Sequence, residues 1–331
     1  MKRLIKLGLL CLTSFALTSC GSKKDSSNEN TKTTDTTDKF SSDGLKELET
    51  KYGKLQISRE DGIAVDYTYD ENKNEYRIAI EEVKAKYVIS GYTTAHFIIT
   101  NTNNLATHKG VKIKLNNACI ISDNDNSPIY YAIQQKNIEI SAKNETSNII
   151  ATLKGANAIE SDNNIELGGN GSLELYTKSL TSSGTKGHTI KSSNKVSIYD
   201  SIKLDITSAH DGINADEVIT LNEDDNTNYT GTINFKNIGS QAIEGTTKKC
   251  GGYINITSGT YNIDSAESVF KTDTELNILK DAKVVATNIK GEPIVKQTKE
   301  EVEENITIPV LNVNVEGTFT SNGNSITSKK M

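Results

Sequence analysis

A short phrase recurs five times from residue 157 onward, and it constrains the fold more than any other feature of this sequence. Each copy has one apolar core residue followed by polar residues. The five core residues are Ile159, Ile190, Ile213, Ile243 and Phe270. Successive core residues are 23–31 positions apart, and a repeat of this length is typical of stacked architectures. We therefore expect units that bury their apolar residues by stacking on neighbouring units.

Inside these units, apolar and polar residues alternate with a period of two, which is the pattern of strands with one buried face. Leu173-Glu-Leu175 and Ile233-Asn-Phe235 are examples, and each run is short and bounded by Gly, Asn, Asp or Ser. Three such strands in one unit describe a coil of a parallel β-helix, an all-β solenoid. An antiparallel sandwich would not repeat the phrase at matched offsets, and a propeller blade of about 40 residues is longer than these units.

The N-terminus has the pattern of an export signal. A basic start precedes a short apolar run and small residues, so residues 1–19 are predicted to be a lipoprotein signal peptide rather than a spanning helix. The ending Leu17-Thr-Ser-Cys20 resembles the bacterial lipobox, which implies lipidation of Cys20; an ordinary secreted protein is the alternative. We expect an exported protein anchored in the lipid bilayer through acylated Cys20, on the outer face of a bacterial membrane at the cell surface or in the periplasm.

The remainder divides into a tether, a cap and a repeat domain. Residues 20–43 have almost no apolar side chains and are predicted to be a disordered tether. Residues 44–86 are predicted to form a small N-terminal cap over the exposed strand edges, and residues 87–328 to form the β-helix.

Cys119 and Cys250 fall several coils apart, too far for a disulfide, so both are predicted to be free thiols. The net charge of −6 argues against nucleic acid as a partner, and we expect a monomer.

Stacking would turn each position of the phrase into a row of side chains across the coils. Neighbouring coils bring such side chains about 5 Å apart, close enough for oxygen atoms to share an ion, and calcium prefers six to eight oxygen ligands. The predicted calcium ligands are Asp162, Asp211, Asn214, Asp216 and Glu244. The alternative is that these rows are solvated polar ladders, with Asp and Asn making turn hydrogen bonds.

Five phrases, in this order and at coil spacing, resemble the bacterial carbohydrate-binding domains that have a pectate-lyase-like right-handed β-helix. They are Tyr87-Val-Ile-Ser-Gly91, Val111-Lys-Ile-Lys-Leu-Asn-Asn117, Pro128-Ile-Tyr130, Gly187-His-Thr-Ile-Lys-Ser192 and Asp211-Gly-Ile-Asn-Ala215. The resemblance covers about residues 87–290. It implies export, binding of acidic polysaccharides and calcium at Asp-rich positions. The family commonly has Asp or His two residues before the core Ile; His188 and Asp211 match this pattern, while Asn157, Gln241 and Ser268 do not.

The leading interpretation is a surface-tethered, non-catalytic lipoprotein that binds acidic polysaccharide, with calcium assisting. The predicted sugar contacts are His188, Lys191, Tyr199 and Tyr229; tyrosines are chosen because the chain has no Trp. One alternative is a polysaccharide lyase of the same fold, with Lys191 or Lys271 as the base. Another is a structural or adhesive surface lipoprotein. No metal-ligand spacing is evident among the histidines, although His188 and His210 lie on successive coils.

Overall fold

The computed structural model describes residues 39–62, 65, 67–80, 85–101, 110–134, 136–178, 186–222 and 227–331. The predicted signal peptide, Cys20 and the tether up to residue 38 lie outside this set. The described chain is nearly all β, with 56% strand, and forms a parallel β-solenoid of about seven turns. Among the described residues, no helix combines the length and the apolar character needed to cross a membrane. The predicted all-β solenoid is confirmed.

The described elements are one helix and a series of mostly short strands. The helix α1 is Ser42–Tyr52. The strands up to the middle of the chain are β1 Gln56–Arg59, β2 Tyr67–Asp70, β3 Glu75–Ile80, β4 Ala85–Thr93, β5 His96–Asn101, β6 Val111–Ser122, β7 Ile129–Tyr131, β8 Ile138–Ala142, β9 Ser147–Thr152, β10 Ile159–Ser161, β11 Ile165–Gly169 and β12 Ser172–Thr177. They continue with β13 Ile190–Ser192, β14 Lys195–Ile198, β15 Lys203–Thr207, β16 Ile213–Ala215, β17 Glu217–Ile219, β18 Leu221–Asn222, β19 Thr227–Asn228, β20 Thr232–Lys236, β21 Gln241–Gly245 and β22 Tyr253–Ala266. The last are β23 Ser268–Thr272, β24 Glu275–Ile289, β25 Ile294–Val295, β26 Asn312–Val315, β27 Thr318–Ser321, β28 Asn324–Ser325 and β29 Lys329–Lys330.

All of these strands except β18 and β19, which pair antiparallel in a separate two-stranded sheet, form two long sheets that run along the solenoid. One has ten strands, ordered β2-β3-β5-β7-β10-β13-β16-β21-β23-β25, and the other has seventeen. In the ten-stranded sheet the recurring phrase is in register from coil to coil, because Ile159 pairs with Ile190, Ile190 with Ile213, Ile213 with Ile243 and Ile243 with Phe270. The predicted stack of core residues is therefore confirmed.

The core is a continuous column of aliphatic and aromatic side chains enclosed by the two sheets. Ile159, Ile190, Ile213 and Phe270 are all completely buried. Burying one side chain of this size contributes about 1.5–3 kcal/mol relative to leaving it exposed. Because a single coil cannot enclose these side chains, this stabilisation exists only when coils stack.

Antiparallel strands pair with both sheets at the start of the solenoid and with the seventeen-stranded sheet alone at its other end, among the described residues. At the start, β1 pairs antiparallel with β4, and β2 pairs antiparallel with β3. At the other end, β28 and β29 pair antiparallel with β27 and β26. Strand β3, inside the segment predicted as a cap, already pairs parallel with β5, so the parallel ladder begins by residue 75. Because the recurring phrase is missing there, the sequence pattern does not show this first coil.

The helix α1 packs on the side of the solenoid. Ser41 caps its N-terminus through a side-chain oxygen that accepts from the Gly44 amide. Phe40 and Leu48 join a second apolar cluster with strands β6, β9 and β12, and the Phe40 ring stacks on Tyr176 at a centroid distance of 4.5 Å.

Cys119 lies in this second cluster. Both Cys119 and Cys250 are free and buried, which confirms the prediction.

Candidate functional site

The outer face of the ten-stranded sheet carries one row of side chains, here called the outer row. Strand register places its members beside one another from coil to coil, each one position after a core residue. The outer row is Ile98, Tyr130, Glu160, Lys191, Asn214, Glu244, Lys271 and Val295. Its middle members are the row expected from the repeat, so that prediction is confirmed.

Asp211 lies at the edge of the outer row and forms hydrogen bonds with residues at the middle of the row. Its carboxylate is completely buried. One oxygen, Oδ1, accepts from the Gln241 amide at 3.0 Å, and the other, Oδ2, accepts from the Asn214 side-chain amide at 2.8 Å. Asn214 in turn accepts a hydrogen bond from the Lys191 ammonium. The coil that carries Asp211 and the next coil therefore fix this carboxylate.

Two histidines flank the Asp211 carboxylate. His188 Nδ1 lies 3.0 Å from Oδ2, and His210 Nδ1 lies 3.1 Å from Oδ1. The two imidazole centroids are 4.4 Å apart. His188 is fixed by its backbone, since Asn157 Oδ1 accepts from its amide at 3.1 Å. The His188 side chain is 7% exposed and that of His210 28%, so the cluster reaches solvent at His210.

These contacts change the proton affinities of the buried groups. Burial raises the pKa of an isolated carboxyl group, but the two imidazoles outweigh this at Asp211 and hold its pKa well below its usual range. Burial lowers the pKa of His188, which favours the neutral imidazole. At His210, the contact with Asp211 raises the pKa. The site thus combines an ionised carboxylate with one imidazole that stays neutral and one that protonates more readily.

Glu244 and Lys271 continue the cluster along the outer row. Burial and the Asp211 charge raise the pKa of Glu244 to about 7. The Glu244 carboxyl accepts from the Thr246 hydroxyl at 2.7 Å and lies 3.5 Å from the Lys271 ammonium. Lys271 also pairs with Glu301 at 2.6 Å. Burial disfavours the Lys271 cation, but these two carboxylates outweigh burial and raise the pKa of Lys271. Lys271 therefore remains protonated.

A cavity opens at the other end of the outer row, around Tyr130. It is lined in part by His96, Ser127, Glu160 and Lys186. The Tyr130 phenol donates to the Asp162 carboxylate at 3.0 Å, and the Ser127 hydroxyl donates to Glu160 at 2.6 Å. Lys186 lies 3.4 Å from the same Glu160 carboxylate. This end of the row offers an aromatic ring together with cationic and anionic groups.

The structure brings together only part of the predicted calcium set. Asp211, Asn214 and Glu244 form one cluster. Asp162 is elsewhere, bound by the Tyr130 phenol. The strand β16 lies between Asp211 and Asp216, and five extended residues span on the order of 15 Å. Asp162 and Asp216 therefore do not complete one ion site with Asp211.

Two predicted sugar contacts are wrong, because their rings are inside the protein. Tyr229 is completely buried, and its phenol donates to the Ile202 carbonyl at 2.9 Å. Tyr199 is only 5% exposed, and its ring lies directly over the backbone of Gly168. Neither ring presents a face on which a sugar could stack. Of the other two predicted contacts, Lys191 is on the outer row. His188 lies beside the row, but its side chain is buried against Asp211.

Two of the histidines, which show no metal-ligand spacing in the sequence, lie beside one carboxylate in the structure. His188, His210 and Asp211 offer ligand atoms that all lie within 4.8 Å of one another. A signal was present in the sequence, since His210 directly precedes Asp211 and His188 holds the position of Asp211 on the preceding coil. Recognising the cluster required knowing that both imidazoles turn toward the same carboxylate.

Comparison with known proteins supports the family resemblance. The chain belongs to a family described as carbohydrate-binding domain-containing protein, whose model matches residues 74–320. One solved structure, described as a polysaccharide lyase-like protein from C. thermocellum in a gadolinium derivative, is similar with a TM-score of 0.55 and 19% identity; the match covers 76% of this chain and 91% of that one. This similarity concerns the fold. No curated protein matches the chain in sequence.

Proposed function

We propose that this protein is a surface-tethered, non-catalytic lipoprotein that binds acidic polysaccharide along the outer row. The observation that carries the proposal is the outer row itself, in which one tyrosine and five polar side chains lie between Ile98 and Val295 on a domain of a carbohydrate-binding family. A polysaccharide is an extended ligand, and a row that crosses several coils can contact several sugar units at once. The tether rests on the lipobox-like sequence ending at Cys20.

The cations of the outer row favour an acidic sugar over a neutral one. Lys191 donates to the neutral Asn214 amide, and among the described residues it takes part in no salt bridge. Its charge is thus left for a uronate carboxylate, and hydrogen bonds to charged groups contribute about 1.5–3 kcal/mol each. Tyr130 provides the aromatic ring that a sugar ring requires for stacking.

Calcium does not fit the central cluster. Two of the groups nearest Asp211 are imidazoles, which supply nitrogen, whereas calcium takes six to eight oxygen ligands. The Asn214 side-chain oxygen, which could have been a further oxygen ligand, already accepts from Lys191. The proposed binding therefore does not pass through calcium at Asp211.

Titration calorimetry with polygalacturonate and with a neutral glucan tests the binding proposal. We expect Lys191→Gln and Tyr130→Ala each to weaken polygalacturonate binding roughly tenfold or more, the size expected for loss of one charged or stacking contact. Lys283→Gln, an exposed lysine in the seventeen-stranded sheet, is the matched control for the charge. Tyr69→Ala, which removes an exposed tyrosine, is the control for the ring. Equal binding of the neutral glucan, or equal losses in the controls, would contradict the proposal.

The alternative function is a polysaccharide lyase of the same fold. Lys271 is not a suitable catalytic base for such a lyase. A base must be deprotonated, and the raised pKa of Lys271 opposes this. Ultraviolet absorbance of unsaturated uronate product during incubation with polygalacturonate distinguishes the two functions, and its appearance would establish the lyase.

The proposed lipid anchor is tested separately. Cys20→Ser should move the protein from the membrane fraction to the soluble fraction.

A further inference from the structure

We propose that His188, His210 and Asp211 bind one divalent transition-metal ion of the zinc class. Their ligand atoms all lie within 4.8 Å of one another. Zinc binds nitrogen and oxygen ligands at about 2.0–2.2 Å, so two ligands on one ion are about 3–3.5 Å apart. His188 Nδ1 lies 3.0 Å from Asp211 Oδ2 and His210 Nδ1 lies 3.1 Å from Asp211 Oδ1. Each imidazole nitrogen is therefore at that separation from one of the two carboxylate oxygens.

The orientation of the imidazoles is the second observation. Both Nδ1 atoms are buried and have no hydrogen-bond partner among the described residues, although each lies within 3.1 Å of a carboxylate oxygen. The nitrogens therefore approach the carboxylate without the alignment of a hydrogen bond. Buried polar atoms normally have a partner, and two nitrogens that converge on one carboxylate would gain that partner from a shared cation.

The surrounding residues hold this arrangement in place. Asp211 is fixed by the Asn214 side chain and the Gln241 amide. The His210 amide donates to the Gly187 carbonyl at 3.1 Å, and Asn157 accepts from the His188 amide. Hydrogen bonds of this kind orient metal ligands and are usual around metal sites. The ligands come from two adjacent coils, so an ion would join those coils as well.

The chemistry of the donors selects the ion. Two imidazoles and one carboxylate are typical zinc ligands, and three protein ligands leave a coordination position for water or another oxygen ligand. Imidazole suits zinc, copper and nickel, whereas magnesium and calcium prefer oxygen ligands. The partly exposed His210 side chain gives the ion a route from solvent. Metal binding at this cluster does not depend on carbohydrate binding.

The test uses the full chain without a histidine tag, stripped with a chelator. We expect calorimetry with zinc to show one ion bound per chain, and Co²⁺ to give the visible absorption of a low-symmetry nitrogen and oxygen site. His210→Ala and His188→Ala should each weaken zinc binding at least about 100-fold, since even changes in the surrounding residues cost 10–100-fold. His96→Gln changes a buried histidine that faces Glu75 instead and should leave zinc affinity unchanged.

Zinc should also raise the melting temperature of the wild-type chain and of His96→Gln, but not of His210→Ala, because an ion that binds only the folded state stabilises it. His210→Ala is the more informative variant, since its side chain is partly exposed and its loss leaves the core intact. The proposal is overturned if zinc does not bind, if both histidine variants bind zinc as the wild type does, or if calcium binds the same cluster with equal affinity.

Discussion

Gly168→Ala should destabilise the solenoid, because the ring of Tyr199 occupies the space that the new methyl group needs. A Cβ atom at Gly168 would lie 2.4 Å from Tyr199 Cε2 and 2.7 Å from Cζ, whereas ordinary contact begins at 3.4 Å. The ring must therefore move by about 1 Å, and it is only 5% exposed. Overpacking of this kind typically costs 1–3 kcal/mol, so we expect the free energy of unfolding to fall by about 2 kcal/mol.

Urea unfolding followed by far-ultraviolet circular dichroism measures this loss. Gly251→Ala is the matched control, since its nearest atom would be Thr247 Oγ1 at 3.6 Å, and it should change stability by no more than about 0.5 kcal/mol. Tyr199→Ala alone should cost about 3–5 kcal/mol, as for other large buried rings. In the Tyr199→Ala background, Gly168→Ala should then cost almost nothing, because the obstructing ring is gone.

This double-mutant cycle separates packing from other effects. If Gly168→Ala costs about 2 kcal/mol with or without the Tyr199 ring, the contact does not cause the loss. If Gly168→Ala leaves stability unchanged, the ring is not packed on this glycine. Either result would also make Tyr199 a candidate for sugar stacking again, because its ring was excluded on the ground that it packs on Gly168.

Three further predictions concern the core. Asn148→Ala should lower the free energy of unfolding by about 3 kcal/mol in urea melts, because it removes the side-chain partner of the buried Ala118 amide and of the part-buried Ser172 carbonyl. A loss below about 0.5 kcal/mol would contradict this. Ile213→Ala should cost about 3 kcal/mol in the same assay, as for other buried aliphatic residues, whereas Ile213→Val should cost about 1 kcal/mol. Burial raises the pKa of Cys119 to about 12, so mass spectrometry should detect its alkylation at mildly alkaline pH only after unfolding, since thiolate is the reactive form.

The sequence shows most of the fold because the information for a solenoid is periodic and local. Ile159, Ile190 and Ile213 occur at coil spacing with alternating neighbours, and this pattern alone predicts stacked parallel strands and the outer row one position later. It also predicts that Cys119 and Cys250 cannot reach each other. The first coil at β3 escapes this reasoning, since its residues lack the recurring phrase and only their pairing with β5 reveals it.

The candidate site depends on information that no single repeat contains. Tyr199 and Tyr229 look like exposed aromatic residues in the sequence, but neighbouring coils cover their rings. These contacts join Tyr229 to Ile202 and Tyr199 to Gly168, residues 27 and 31 positions apart. His188, His210 and Asp211 meet because two coil corners turn their side chains toward one buried point. The sequence by itself determined the stacked β architecture and its rows, because strand period and repeat spacing are local properties. Only the tertiary structure decided which side chains face each other, because orientation at the coil corners follows from packing between coils.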